Sequence, residues 1–335
     1  MNNNNFNGSF EGQPAEPEYT GVPYFSEELS EKIAVKSTAQ KIGLSLLFFI
    51  LSQQVLSVLA VFAVSFFAKP QILSDPVFTL AFNIFVTLIG FWGGGLILLK
   101  MLKEKNVISF SAPERKTFFP LVAVGVGFCY VANIIVSLLR QNISTVVELK
   151  GGDITLPDGA FGFAFSVLSV AVFPALLEEF FFRGAIMGGL MKYGKGFAVF
   201  TSALLFGLVH GNLVQMPFAF LVGLILGYAV ILSGSVWTSV TIHFINNFLS
   251  LVFDFAQKGA GTQIVPLINA VALLIIAVGF FGLYLLCRDN KTLFMLDKPN
   301  CKSSSGQRLK WTLSSGFMVV FIVLIALDIL GAQIG

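Results

Sequence analysis

The sequence predicts an all-α, polytopic transmembrane helical bundle with about eight or nine membrane spans and a core of helices around a buried polar site. Two numbers predict the membrane location: 56% of the 335 residues are hydrophobic and only 12% are charged. That balance leaves too little polar surface to coat a water-soluble domain of this size. The apolar stretches are also long and continuous, whereas the strands of a transmembrane barrel alternate in polarity over about ten residues. We therefore expect helices that cross the bilayer.

Charge and cysteine content exclude two other classes of protein. The formal net charge of +3 is too small to indicate a nucleic-acid partner. Cys129, Cys287 and Cys301 form neither a CxxC pair nor a metal-like cluster, so the sequence predicts no disulfide framework. About forty mostly polar residues precede the first apolar segment, which argues against a signal peptide.

The chain divides into a polar tail and a membrane domain. Residues 1–40 are predicted to form a largely disordered cytoplasmic tail, because this composition buries too little apolar area to offset chain entropy. Within it, Ser26 to Lys41 could form a short amphipathic helix at the membrane surface. Residues 41–335 form the predicted transmembrane domain. Segments long enough to cross an apolar core of about 30 Å lie at roughly 42–68, 78–102, 118–140, 161–190, 197–213, 216–233, 236–256, 264–287 and 312–331.

These segments suggest nine crossings, of which one in the crowded middle of the chain is a candidate re-entrant or broken span. The distribution of Lys and Arg outside the spans predicts the orientation. With a cytoplasmic amino terminus, sixteen of them fall inside and only four outside, namely Lys69, Arg140, Lys150 and Lys258. The positive-inside rule therefore predicts an amino terminus in the cytoplasm. We expect a multi-pass protein of a bacterial plasma membrane.

Ionisable side chains inside apolar spans carry the functional signal, because charges at bilayer depth are costly and need a specific reason. Five such residues stand in one region: Glu178, Glu179, Arg183 and the only two histidines, His210 and His243. On a helix Glu179 and Arg183 lie four residues apart on one face and are predicted to pair. Glu178 is turned away by about 100° and remains free for chemistry.

Depth along the helices predicts that these side chains meet. Glu178 lies 14 residues before Lys192, and His210 lies 15 residues after Lys195. At 1.5 Å per residue, each is about 21–22 Å from the same inner loop. His243 is expected somewhat closer to the inner face, a mismatch that helix tilt can absorb.

A carboxylate, two imidazoles and a carboxamide in one hydrated pocket suit peptide hydrolysis. Glu178 can deprotonate water as a general base. One histidine can orient that water or protonate the leaving amine, while the other, with Asn247, donates hydrogen bonds to the tetrahedral oxyanion. His243 and Asn247 are four residues apart and project together, as do Phe206 and His210. The scheme needs no serine or cysteine nucleophile.

Three motifs stand at these residues. Residues 178–184 read EEFFFRG and match EExxxR, residues 206–210 match FxxxH, and residues 243–247 match HxxxN. In this order they resemble the signature motifs of the CAAX-processing and bacteriocin-processing intramembrane proteases, which include the type II CAAX prenyl endopeptidases and the abortive-infection proteins. The resemblance covers a protease-like core at about 118–256.

The resemblance implies a role for each matched residue. Glu178 would activate water, and Glu179 and Arg183 would brace the helix. His210, His243 and Asn247 would complete the site, and Phe206 would support it. The implied substrate is a membrane-associated peptide, such as a prenylated CAAX-like tail, a bacteriocin or a peptide precursor.

A zinc site is an alternative arrangement of the same residues, with Glu178, His210 and His243 as ligands. The sequence contains no HExxH motif, and using Glu178 as a ligand would leave only the salt-bridged Glu179 to act as base. We therefore expect a metal-independent glutamate mechanism that requires no cofactor.

Three other interpretations remain open. The Glu179–Arg183 pair fits a structural ion pair that fixes helix packing, and Asn246 is expected to point away from the site and to serve packing. The whole constellation could also belong to a non-catalytic membrane scaffold or a bacteriocin-immunity protein. A proton-coupled transporter is a further alternative, since carboxylates and histidines within membranes also relay protons.

Overall fold

A computed structural model describes residues 26–103, 109–143, 155–289, 295–296 and 299–334. In none of these stretches does the chain form a β-strand, and the predicted all-α helical bundle is confirmed. The helices, in chain order, are α1 Glu27–Phe67, α2 Pro76–Thr87, α3 Gly94–Leu102, α4 Arg115–Ile143, α5 Gly159–Ser166, α6 Phe173–Glu179, α7 Gly188–Leu190, α8 Lys195–Leu208, α9 Met216–Ser233, α10 Val236–Ala260, α11 Val265–Asp289, α12 Ser305–Leu313 and α13 Gly316–Ile334.

Short π-helical stretches join several of these helices into longer ones. Leu88–Gly93 connects α2 to α3, Val167–Val172 connects α5 to α6, and Phe180–Met187 connects α6 to α7. Single π-helical turns inside α-helices often accompany functional sites. Here the third stretch begins directly after Glu179.

Six helical segments within the described residues are long and apolar enough to cross a membrane, or seven if α12 and α13, which meet at 73°, form one broken span. The longest of the six, Val236–Arg288, contains both α10 and α11 and a turn at Gly261, where φ is +63°. If its two halves are counted separately, the number rises to seven or eight.

Contacts with α4 show that α10 and α11 run in opposite directions. Along α4 and α10 the residue numbers of the contacting pairs increase together: Gly125 contacts Ile242, and Tyr130 contacts Phe253. Contacts with α11 run in the reverse order: Pro120 with Gly282, then Gly127 with Gly279. The two helices therefore form a hairpin and account for two of the predicted spans.

The span predicted at 197–213 is not a full crossing. α8 has 14 residues, about 21 Å at 1.5 Å per residue, which is short of an apolar core of about 30 Å. The helix ends at Leu208 because the chain turns at Gly211, where φ is +58°. His210 therefore lies in a turn inside the bundle and not along a continuous helix.

The boundary predicted at residue 40 also differs from the structure. The first helix, Glu27–Phe67, is continuous over 41 residues, so residues 27–40 are its first turns and not a separate surface helix. Partners distant in sequence hold this end: the carboxylate of Glu31 accepts a 2.8 Å hydrogen bond from the backbone N–H of Lys302. The rest of the predicted tail, residues 1–25, lies outside the described residues.

Small residues set the closest approaches between helices. A Cβ atom added at a glycine would lie within 3 Å of a backbone atom of a neighbouring helix at three crossings: Gly43 (2.6 Å from the Met318 nitrogen), Gly127 (2.8 Å from Gly279 Cα) and Gly223 (2.9 Å from Ala203 Cα). Membrane helices associate through such packing because lipid tails offer no hydrophobic gain from burial. The glycines therefore fix the spacing of the bundle.

We expect Gly127→Ala to destabilise the protein, because the added methyl group must push α4 away from α11. Overpacking of this kind typically costs about 1–3 kcal/mol. The matched control is Gly331→Ala, where an added Cβ meets no atom within 4 Å. Thermal unfolding in detergent should show a lower midpoint for Gly127→Ala only. Equal midpoints for the two variants would contradict the packing interpretation.

Candidate active site

The four predicted catalytic side chains line one cavity of about 690 Å³. Glu178 comes from α6, His210 from the turn after α8, and His243 and Asn247 from α10. The predicted convergence of three separate helical segments is therefore present. The polar residues that line the cavity are Asn83, Thr87, Ser169, Glu178, Gln215, His210, His243, Asn246, Asn247, Ser250 and Asp254.

Glu178 reaches the cavity from the last turn of α6. Its side chain is 15% exposed, and its Oε2 atom lies 3.9 Å from Nε2 of His243. This distance is too long for a direct hydrogen bond. A water molecule beside the pair can reach both atoms, so the carboxylate and the imidazole can share a water without bonding each other.

Glu179 and Arg183 form the predicted ion pair. Arg183 Nη1 donates to Glu179 Oε1 at 2.7 Å, and both side chains are fully buried. Arg183 Nη2 also donates to the carbonyl of Gly223 at 3.1 Å, and the guanidinium carbon lies 4.5 Å from the ring centre of Phe206. The pair thus ties α6 to α8 and α9.

His243 makes a contact that sequence reasoning did not find. Its Nδ1 lies 3.0 Å from the same Oε1 atom of Glu179 that accepts from Arg183. With a carboxylate as partner, Nδ1 carries the hydrogen, and the ring is held with Nε2 toward Glu178. Glu179 and His243 are 64 positions apart, so no local spacing could reveal the bond.

His210 is oriented by its own helix end. Its Nδ1 lies 2.7 Å from the carbonyl oxygen of Phe206, so Nδ1 donates and Nε2 keeps its lone pair. The Phe206 ring packs edge-on against both histidines, at 5.0 Å from His210 and 6.0 Å from His243 between ring centres. The FxxxH motif therefore supplies a carbonyl and an aromatic wall.

The structure corrects the prediction for Asn246. It lines the cavity and does not point away from it, and its Nδ2 donates to Oδ1 of Asn247 at 3.1 Å. Asn247 in turn donates from Nδ2 to the carbonyl of Val170 at 3.0 Å. One hydrogen of that amide remains for a ligand. The packing interpretation failed because α10 exposes two adjacent residues to one wide cavity.

The cavity also extends beyond the predicted protease-like core at 118–256. Asn83 and Thr87 reach it from α2, one of the first spans, which the motif argument does not cover. Asn83 and Thr87 are small polar residues in an apolar span, and this pattern could have indicated that they line a polar site. The sequence alone does not show which helix they face.

The alternative zinc site does not fit these positions. Within the stretches of chain that the structure describes, no three His, Cys, Asp or Glu side chains are grouped closely enough to hold a metal ion. Oε2 of Glu178 stands 3.9 Å from Nε2 of His243, and the Nδ1 bonds of both histidines fit a metal-bound and a metal-free site equally well. We therefore derive no step through a metal.

Comparisons with known proteins agree with the position of the site. Residues 160–249, which contain all three motifs, match the family model of type II CAAX prenyl endopeptidase Rce1-like proteins. The chain is also similar to the membrane-embedded CAAX protease MroQ of Staphylococcus aureus (strain USA300), with 24% identity over 174 residues, or 49% of this chain and 70% of that protein. No solved structure matches. The chain is thus an integral membrane protein, and both comparisons support the CAAX-processing and bacteriocin-processing family that its three motifs resemble.

Proposed function

We propose that this protein is an intramembrane endopeptidase and that Glu178 is its general base. The observation that supports this most strongly is the division of labour between two adjacent carboxylates. Glu179 is fully buried and bonded to Arg183 and His243, whereas Glu178 faces the cavity 3.9 Å from an imidazole nitrogen. One acid is neutralised by its partners, and the other is free to take a proton.

The first step is the attack of water on the scissile carbonyl. Glu178 removes a proton from a water molecule held between its carboxylate and the cavity histidines. His210, with its Nε2 lone pair facing outward from a fixed ring, orients that water. The water oxygen bonds to the carbonyl carbon, and the carbonyl electron pair moves onto oxygen.

The resulting oxyanion needs donors at fixed positions. His243 can supply one donor from Nε2 when that nitrogen carries a proton, and the bond from Nδ1 to Glu179 fixes the ring for this contact. The free Nδ2 hydrogen of Asn247 is the second donor, and the bonds of Asn247 to Val170 and Asn246 hold it in place. Donors positioned before the reaction stabilise the developing charge without reorganisation.

Collapse of the intermediate completes the reaction. Protonated Glu178 gives its proton to the amide nitrogen, the C–N bond breaks with its electron pair going to nitrogen, and a carboxylic acid and an amine leave. Glu178 returns to its starting form. Atoms and charge balance with water as the only co-reactant.

The proposed substrate is a peptide segment at the membrane, in a prenylated CAAX-like tail, a bacteriocin or another peptide precursor. The cavity combines a polar wall with apolar residues such as Leu80, Phe218 and Val222. A site of several hundred cubic ångströms accepts several residues of an extended peptide.

We expect Glu178→Gln to lower turnover by about 10²–10⁴-fold, the usual contribution of a general base, because the amide cannot accept the proton. The assay uses purified protein and a set of internally quenched fluorogenic peptides, some of them farnesylated on a carboxy-terminal cysteine. The control is Glu114→Gln, an exposed acid outside the cavity, which should keep full activity. Equal cleavage by wild type and Glu178→Gln would remove Glu178 as the base, and absence of cleavage by both would favour a non-catalytic scaffold.

Glu179→Gln should act mainly on stability. The change leaves Arg183 as an unpaired charge in a fully buried position, which typically costs 3–5 kcal/mol. We expect a clear fall in the thermal midpoint for Glu179→Gln and little change for its neighbour Glu178→Gln, measured side by side in detergent. A fall of equal size in both variants would contradict the assignment of separate roles.

Chelators should leave cleavage unchanged, because the proposed water activation uses a carboxylate and imidazoles alone. Wild-type protein is incubated with 1,10-phenanthroline or EDTA, and a zinc protease under the same conditions confirms that the chelator works. Loss of activity that returns on adding Zn²⁺ would overturn the metal-independent mechanism and reinstate Glu178, His210 and His243 as ligands.

A further inference from the structure

The two ends of the helical bundle differ in charge, and two exposed residues that line the cavity, Gln215 and Asp254, lie toward one of them. One end is defined by a set of contacts between chain segments. The start of α1 bonds the segment before α12 through Glu31 and Lys302, and Gly194, between α7 and α8, packs against Pro299. The turn between α9 and α10 joins the same end, because the Ser235 hydroxyl donates to the carbonyl of Ser111.

This end, which we call the basic end, carries most of the positive charge. Two further contacts extend it: Leu102, at the end of α3, packs on Gly189, and Gly282, near the end of α11, meets Pro120, near the start of α4. The basic residues of the described chain that belong here are Lys32, Lys36, Lys41, Lys100, Lys103, Arg115, Lys116, Lys192, Lys195, Arg288, Lys302, Arg308 and Lys310.

The opposite end, the cavity end, is poor in positive charge. It contains the end of α4, the start of α9, the end of α10 and the segment before α5. Among the residues that the structure describes, its basic side chains are Lys69, Arg140 and Lys258, and the last of these pairs with Asp254 at 3.0 Å. Thirteen against three is a strong bias under the positive-inside rule, so the basic end faces the cytoplasm.

Several residues that line the cavity lie near the cavity end of the bundle. Leu156 lies just before α5, Gln215 just before α9, and Asp254 in the last two turns of α10. Glu178 is 14 residues from Lys192 at the basic end, about 21 Å in a helix with a rise of 1.5 Å per residue. Glu178 is also 19 residues after Gly159, so the carboxylate lies deep in the bundle. The exposed lining residues Gln215 and Asp254 show that the cavity extends from it toward the cavity end.

From this placement we infer that the active site is entered from the extracytoplasmic side, and that its substrate is a polypeptide whose scissile bond lies at the outer leaflet. The inference rests on the proposed function and adds a substrate class to it: a secreted or membrane-anchored peptide that has already crossed the bilayer. A tail that remains in the cytoplasm would meet the basic end, and between that end and Glu178 the chain places Phe181, Phe182 and Arg183, which are fully buried.

Cysteine accessibility tests the sidedness. The full-length protein has native reporters at the basic end, the exposed Cys287 and the partly exposed Cys301, whereas Cys129 is buried. Gln215→Cys adds a reporter at the cavity mouth. A membrane-impermeant maleimide is applied to intact cells and to inverted vesicles, and mass spectrometry locates the labelled residues. Burial raises the pKa of the Cys301 thiol, so labelling is carried out at mildly alkaline pH.

The expected result is labelling of Gln215→Cys in intact cells only, and of Cys287 and Cys301 in inverted vesicles only. The inverse pattern, or labelling of all three from one side, would overturn the inference. Each reporter is first shown to react in detergent, and Thr262→Cys, in the exposed turn after α10, replaces Gln215→Cys if the latter does not.

The test of the proposed function is independent of the test of sidedness. The cleavage assay with Glu178→Gln is performed in detergent, where both faces of the protein are equally accessible. A protease with the opposite labelling pattern would keep its catalytic base and lose only its sidedness. A protein labelled as expected but without cleavage would keep its orientation and lose the substrate class together with the activity.

Discussion

The buried carboxylate of Glu179 is the interaction on which the rest of the site depends. One of its oxygens accepts from both Arg183 and His243, at 2.7 and 3.0 Å. Two unpaired charges at this depth would each cost several kcal/mol. Their mutual neutralisation makes a fully buried arginine tolerable and leaves Glu178 as the carboxylate that faces the cavity. The same bond turns the His243 ring so that its other nitrogen faces Glu178, at 3.9 Å.

The aromatic residues around this network determine how little water reaches it. Phe206 covers the Arg183 guanidinium on one side and packs against both histidines, and Phe182 packs edge-on against Phe206 at 5.0 Å between ring centres. Electrostatic interactions strengthen where water is excluded. The network is therefore dry on the side of Glu179 and wet on the side of Glu178. This asymmetry allows two adjacent glutamates to have different roles.

The sequence predicts the parts of this arrangement that depend on the geometry of a single helix. It does not predict the parts that depend on contacts between helices. The i, i+4 pairing of Glu179 with Arg183 and the shared depth of Glu178 and His210 rest on helical geometry, and both are present. The early end of α8 was missed because its apolar composition continues past Leu208, while the turn depends on the positive φ of Gly211. The bond between Glu179 and His243 joins different helices, and no periodicity within one helix encodes it.

The membrane environment of the helices explains why the site could be recognised from the sequence alone. A cavity within a bilayer must place every polar group near a partner or water, since lipid offers neither. Polar residues in apolar spans are therefore few, and those that remain converge, as Asn83 of α2 does with residues of the family-matched region 160–249. Asn83 lies outside that region and still lines the cavity. The first spans can therefore shape the pocket of this chain while the proposed catalytic groups come from the matched region.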